Sequence, residues 1–257
     1  MQMILNRLDL GGAAHAFHSL RPEQFTLDPY GGFSVCHYVG DHPENVSESR
    51  LELARMLENR YGISPDRIII PTQTHSANVT VIGNNPPTAE NLMDVDGLVT
   101  AIPNTVLCIN TADCAPVVLA DASTGITGAC HAGWRGALNG VVRNTIHAMA
   151  ELGADICHTY AAIGPCICPQ CFEVGTEVAE KFAHIPGAVC TDVKWPKPHI
   201  NLAAAIIHDL KSCGIPSSNI ATPQLCTLCH SSKPFSARRL GVHSGRMLTF
   251  VISPSGH

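Results

Sequence analysis

The 257-residue chain is 45% hydrophobic and 14% charged, enough apolar mass for a sizeable core, and its net charge of −5 leaves no basic footprint for nucleic acid. No apolar stretch approaches the roughly 18 residues of a membrane span, and the opening MQMILNRLDL has no cationic segment ahead of an apolar core, so a cytoplasmic location is expected. Twelve cysteines without such a leader read as reduced thiols rather than a disulfide framework, and fourteen histidines beside them keep metal binding open.

Without an internal repeat, a low-complexity tract or a linker, residues 1–257 read as one domain. In chain order, Asp41 with Glu44 predicts a helix start, and Val46, Leu51, Leu53, Ala54 and Leu57 carry the helix to Gly62. RIIIPTQTH, NVTVIG, DGLVTAI, TVLCINTAD, PVVLAD and TGITGACH then read as short strands, β-branched and bounded by turn residues. ALNGVVRNTIHAMAELG predicts a second helix stopping at Gly153, TYAAIGP a strand, and EVGTEVAEKFAHI a third helix. Asn201 caps a fourth, LAAAIIHDLKSCG, which ends at Gly214, and GRMLTFVIS is a final strand. GNNPPT (83–88) and KWPKPH (194–199) are surface loops. Several strands follow one another without a helix between them. That order predicts an α/β (α+β) fold with mixed sheets covered by helices, not a doubly wound parallel sheet.

Three strands end on metal-capable side chains: RIIIPTQTH on His75, TVLCINTADC on Cys114 and TGITGACH on His131. If those strands share an edge, two imidazoles and a thiolate converge, and three protein ligands with one open position make a catalytic zinc site. Taken singly, each is more often a hydrogen-bonded histidine or a core thiol. Spacing alone leaves convergence open.

The blocks QTHSANV (73–79), TADCAPVVLAD (111–121), HAGWRGALNGVV (131–142), AAIGPCI (161–167), CTLC (226–229) and FSARR…GR (235–246) occur in this order. Together they resemble the family variously called laccase-domain proteins, polyphenol oxidases, peptidoglycan editing factors and purine nucleoside phosphorylases. The resemblance runs from about residue 30 to residue 252. It implies a four-layer αββα sandwich and places His75, Cys114 and His131 on the family's zinc ligands. It also implies phosphorolysis of adenosine, inosine, guanosine and methylthioadenosine to free base and (methylthio)ribose 1-phosphate, with adenosine deamination at the same site. Purine nucleosides and inorganic phosphate are the expected partners; the oligomeric state is left open.

Phosphate needs fixed cations, and the planar fork of arginine suits oxyanions. Arg239 is the first choice as a catalytic group by resemblance, with Arg135 four residues after His131 as the second. Arg135 and Arg239 are expected to hold the phosphate, and Arg238 and Arg246, in the same final motif as Arg239, are expected to be cofactor-binding. Without the resemblance, ARRLGVHSGR reads as a solvated basic turn. The helix from Ala137 onward would add a favourable field for an anion, and Trp134 reads as a packing wall of the pocket.

Other chemistries are weaker. HPE (42–44) with PC (165–166) has half of the zinc-deaminase signature, but the P-C-x-x-C half fails. No H-x-H pair occurs, so a multicopper oxidase is disfavoured, although a three-ligand N/S site could take copper in vitro. Cys114 with His75 or His131 could instead serve a cysteine hydrolase or a peptidoglycan-precursor editing factor. A binding protein with a vestigial site is disfavoured because every proposed ligand is present. The pairs Cys168/Cys171 and Cys226/Cys229 lie further apart than the 15–20 residues usual between zinc-ribbon pairs, so they are expected to be core thiols. Ala237, Phe172 and Ser34 depart from the family pattern and bear on base preference.

Overall fold

The computed structural model describes residues 3–22, 24, 28–229 and 233–255. Its strands are β1 (Ile4–Leu8), β2 (His15–Leu20), β3 (Ile68–Ile69), β4 (Val79–Ile82), β5 (Gly97–Thr100), β6 (Val106–Thr111) and β7 (Ala115–Asp121). There follow β8 (Thr127–Ala132), β9 (Thr159–Ile163), β10 (Val189–Cys190), β11 (His199–Ile200), β12 (Ile220–Ala221) and β13 (Met247–Ile252). The helices are α1 (Pro43–Tyr61), α2 (Trp134–Asn139), α3 (Val141–Glu151), α4 (Thr176–Phe182), α5 (Leu202–Ser212) and α6 (Ala237–Leu240).

Two mixed sheets stack face to face. One has the order β1-β2-β13-β6-β3, the other β12-β9-β7-β8-β5-β4. Parallel pairs occur at β3–β6, β4–β5 and β9–β12, and the other pairings within these two sheets are antiparallel. The two-residue period of a strand sorts the side chains into layers. Leu107, Ile109 and Val251 of the first sheet meet Leu98, Val118, Ala120, Ala129 and Ala162 of the second in a central core. On the outer face of the first sheet, Val106, Cys108, Phe250 and Ile252 pack against Leu53 and Leu57 of α1. On the outer face of the second, Val117, Leu119 and Cys130 pack against Val142, Ile146 and Met149 of α3 and Ile206 and Leu210 of α5. Each fully buried Leu, Ile, Val or Phe contributes about 1.5–3 kcal/mol over an exposed one. The result is the expected four-layer αββα sandwich.

Local chemistry moves several boundaries. The expected strand 67–75 stops after Ile69, because Pro71 lacks an N–H for the ladder. His75 therefore lies in an irregular loop with φ of 66°, not at a strand end. The single helix expected over 137–153 is two. It begins at Trp134, not Ala137, and Gly140 at φ 89° separates α2 from α3. His42, not Asp41, is the N-cap of α1; the Asp41 carboxylate accepts from the His42 N–H and the Asn45 amide instead. Asn201 caps α5 as expected, accepting from the Ala204 N–H at 3.0 Å. The short elements β1, β2, β10, β11, β12 and α6 were not anticipated from pattern.

Candidate metal centre and adjoining cavity

The neighbouring strands β5, β8 and β7 bring three side chains to one end of the second sheet. His131, next to last in β8, is registered opposite Pro116. Cys114 immediately precedes β7, in a tight turn whose Asp113 has φ of 83°. Asp96 immediately precedes β5, and its carbonyl accepts from the His131 N–H at 2.7 Å. The 71–78 loop crosses this end and supplies His75. The Asp96 carboxylate receives the N–H groups of Thr74 at 3.1 Å, His75 at 3.1 Å and Ser76 at 2.8 Å, and so fixes the loop.

The ligand atoms of His75, Cys114 and His131 all lie within 4.8 Å of one another. Cys114 Sγ is 3.7 Å from His75 Nε2, and the two imidazoles meet edge to face with centroids 4.8 Å apart. Close approach depends on Gly133. A Cβ there would lie 2.8 Å from both Cys114 Sγ and His75 Cδ2. His131 is buried, Cys114 half-buried and His75 exposed, so the cluster opens on one side.

The electrostatics are those of a coupled set. Burial opposes ionisation of Cys114, but His131 and then His75 overcome it and bring the thiol down to about 6. Burial likewise opposes charge on His131, but the Cys114 thiolate and Asp96 raise it to about 9. Asp96 is buried too, yet the His131 ring and the backbone donors hold it down at about 2. Two neutral imidazole nitrogens and one thiolate are a good donor set for a borderline-soft ion such as zinc, with a fourth position left open. A carboxylate on the far nitrogen of a ligating histidine fixes its tautomer, and Asp96 Oδ1 is 2.7 Å from His131 Nδ1.

The three ligands line a cavity of about 470 Å³. Tyr38, Gln73 and Asn110 form part of its polar lining, and Trp134, Phe172 and Ala237 part of the remainder. Gln73 makes two 2.8 Å bonds to the backbone of Asn110, fixing that residue. The Asn110 side-chain amide is buried at the cavity wall, with neither its oxygen nor its nitrogen bonded to another described residue. Burial pushes the Tyr38 phenol up, keeping it a neutral hydroxyl.

The arginines divide. Arg238 and Arg246 line the cavity. Arg238 Nη2 bonds the Glu173 carbonyl at 3.2 Å with its guanidinium 5.8 Å from the Phe172 ring, and Arg246 is held by the carbonyls of Val242 and Ser244. Arg239 does not line this cavity. Its guanidinium donates to the carbonyls of Leu228 at 3.1 Å and Pro234 at 2.7 Å. Nor does Arg135, which is exposed and stacks 4.3 Å over Trp134 beside a separate surface pocket. Trp134 touches both pockets and packs among Phe182 and its neighbours, a wall shared between them. Sequence pattern missed Asp96, Gln73, Asn110, Asp113 and Tyr38. None of them carries a local signal, since each acts through what the fold packs beside it.

The cysteine pairs also depart from expectation. Cys168, Cys171, Cys226 and Cys229 are not core thiols: their sulfurs lie within 4.8 Å of one another, and Cys229 is exposed.

Fold and site together define an α/β enzyme with a metal-capable centre at one sheet end. The chain belongs to the family described as "Multi-copper polyphenol oxidoreductase laccase", which matches residues 15–253. It is 38% identical to the protein named adenosine deaminase RL5, from an unknown prokaryotic organism, over 96% of this chain and 98% of that one. It is 37% identical to a purine nucleoside phosphorylase of Bacteroides thetaiotaomicron, over 87% of this chain and 85% of that one. Among solved structures, YlmD from Geobacillus stearothermophilus is similar with a TM-score of 0.83 and 25% identity, over 95% of this chain and 93% of that one.

Proposed function

We propose that the chain, as a single domain acting in the cytoplasm, is a purine nucleoside phosphorylase. It takes adenosine, inosine, guanosine and S-methyl-5′-thioadenosine, and it deaminates adenosine as a side activity. The observation that carries this is the convergence of His75, Cys114 and His131 at a cavity that also holds Arg238, Arg246 and the unpartnered Asn110 amide. The names of the relatives, adenosine deaminase and purine nucleoside phosphorylase, support the substrate class.

His75, Cys114 and His131 would hold the metal, for which zinc suits the donor set. When bound, zinc supplies Lewis acidity at its open position, the chemistry that lowers the pKa of water to about 7. The residues of the chain do the rest. Arg238 and Arg246 neutralise phosphate, while Asn110 and Tyr38 offer hydrogen bonds to the nucleoside. In phosphorolysis a phosphate oxygen bonds to the sugar's anomeric carbon as the bond to the purine nitrogen breaks, and the base leaves with a proton. Arg239 and Arg135, the first choices from sequence, take other parts here: Arg239 donates to the carbonyls of Leu228 and Pro234, and Arg135 stacks over Trp134.

Copper oxidase chemistry, which the family's description names, would need several copper centres, and among the described residues the cavity offers one His-Cys-His group, with no H-x-H pair in the sequence. A second reading has one observation in its favour. Cys114 Sγ lies 3.7 Å from His75 Nε2, the thiol–imidazole pairing that a cysteine hydrolase, such as a peptidoglycan-precursor editing enzyme, would use with His75 or His131 as its base. A nucleoside panel run on protein of defined metal content, with and without phosphate, separates the two. Phosphate-dependent release of hypoxanthine from inosine, lost on chelation and restored by zinc, is the expected result. Metal-independent hydrolysis, or no turnover of any nucleoside, would overturn it.

A further inference from the structure

The four cysteines outside the His-Cys-His centre come from two turns far apart in sequence. Cys168 lies five residues beyond the end of β9, and Cys226 five residues beyond the end of β12. Those strands pair in parallel, Ile220 opposite Ala161 and Ala221 opposite Ala162. Two C-x-x-C turns therefore leave the same end of the β9–β12 pair side by side. A bridge between Cys166 and Cys226, with the Thr227 N–H on the Cys166 carbonyl at 3.2 Å, extends the pairing to the turns themselves. The fold thus cancels the sequence separation that argued against a shared site.

The sulfur geometry separates metal from disulfide. A tetrahedral zinc with Zn–S bonds of about 2.3 Å holds its sulfurs about 3.8 Å apart, whereas a disulfide brings two sulfurs to about 2.05 Å. Cys168 Sγ and Cys229 Sγ are 3.7 Å apart, and all four sulfurs lie within 4.8 Å of one another. Backbone N–H groups of Cys168 and Leu228 point at Cys226 Sγ at 3.3 and 3.4 Å. Donors aimed at sulfur suit a thiolate. A set of four soft ligands in this arrangement selects a thiophilic ion.

We propose that Cys168, Cys171, Cys226 and Cys229 bind one structural zinc ion, separate from the His75–Cys114–His131 centre. Four protein ligands close the coordination shell, so this ion takes no substrate. Its place is a clamp between the turn that carries Phe172 and the turn that carries Thr227 and Leu228. Thr227 Oγ1 donates to Asp113 Oδ1 at 2.6 Å, and the Arg238 N–H donates to Asp113 Oδ2 at 2.7 Å. The Arg239 guanidinium holds the Leu228 carbonyl next to Cys229. Through these bonds the clamp sets the wall of the cavity on the Arg238 side and the turn that ends at Cys114. The proposal does not depend on which reaction the cavity performs.

The test is metal stoichiometry on the full chain, purified under reducing conditions and assayed by inductively coupled plasma mass spectrometry. Two zinc ions per chain are expected, falling to one in Cys226→Ser/Cys229→Ser and to one in His75→Ala/His131→Ala. If the cysteine variant fails to fold, wild-type protein refolded with cobalt decides, because a tetrathiolate cobalt centre shows intense thiolate charge-transfer bands that one thiolate cannot give. One zinc per chain unchanged by the cysteine substitutions, cobalt bands of a single thiolate only, or iron in these cysteines would each overturn the proposal. So would two disulfides among the four, found by mass spectrometry of protein purified without reductant.

Discussion

Asp96 and His131 are joined twice: the Asp96 carboxylate lies 2.7 Å from His131 Nδ1, and the Asp96 carbonyl accepts the His131 N–H at 2.7 Å. The same carboxylate collects the backbone of the loop that carries His75. One acid therefore orients two of the three candidate ligands. Asp96→Asn keeps the shape and removes the charge. Metal affinity, measured by chelator competition, is expected to fall about 10- to 100-fold, as for other partners of ligating histidines, and excess zinc should restore turnover. Unchanged affinity would mean that Asp96 serves the loop alone.

Gly133 is the closest backbone to the centre. In Gly133→Ala the new Cβ would stand 2.8 Å from Cys114 Sγ and from His75 Cδ2, distances that force the ligands apart. Its φ of −74° suits alanine, so the fold should persist. Expected are a far-UV spectrum like the wild type and loss of one equivalent of metal. Full metal content in the variant would show that the centre is more open than these distances state.

Asn110 should separate binding from stability. A buried amide without a partner costs about 1–3 kcal/mol, and such a group is retained where a ligand completes it. Asn110→Ala is therefore expected to match or exceed the wild type in thermal stability while raising the KM for inosine about tenfold, near the 1–3 kcal/mol of one lost bond. Equal KM values for the two proteins would remove Asn110 from the recognition set.

The three arginine roles are distinguishable by substitution. Arg238→Ala should raise the phosphate KM about tenfold and spare adenosine deamination, since it removes one cation from the cavity. Arg239→Ala loses two charge-assisted bonds to carbonyls, worth about 1.5–3 kcal/mol each before compensation, so its melting temperature should fall and both activities should fall together. Arg135→Ala, exposed over Trp134, should leave both within about twofold, as surface substitutions usually do. A phosphate-specific defect in Arg239→Ala would return that residue to the phosphate site.

What could be read from sequence follows from how local each feature is. His131 was legible because it stands at the end of the β8 run and Cys114 because it adjoins the β7 run, and both runs are buried throughout and so read as continuous stretches of small and apolar residues. His75 was found for a reason that fails, since Pro71 ends its strand early and the loop is held by Asp96 instead. Asp96 and Asn110 were invisible because their roles depend on what packs beside them, β8 and Gln73. The four-cysteine cluster depends on a two-residue parallel pairing between β9 and β12, which leaves no period to detect. Mixed sheets covered by helices were legible from strands that follow one another without helices, whereas the four-layer αββα order came from the family resemblance. The first two strands were not legible, because β2 buries His18 and Ser19 where a pattern reader expects solvent.

His18 carries the last prediction. It sits in β2 between Asn6 and Thr249 of the flanking strands, and burial lowers its pKa from 6.5 to about 4. An unfolded chain binds this proton as pH drops below 6.5, whereas the folded chain does not until about pH 4. In that window the unfolded state holds more protons, so stability rises with pH and is lost on acidification. The full shift corresponds to about 3 kcal/mol at 1.36 kcal/mol per pH unit. His18→Gln removes the titration without removing the polar side chain. In urea titrations from pH 7 to pH 4 the variant's midpoint should decline less steeply than the wild type's, whatever its stability at pH 7. Parallel declines would mean that His18 takes up its proton in the folded state as readily as in the unfolded one, and that β2 opens to water there.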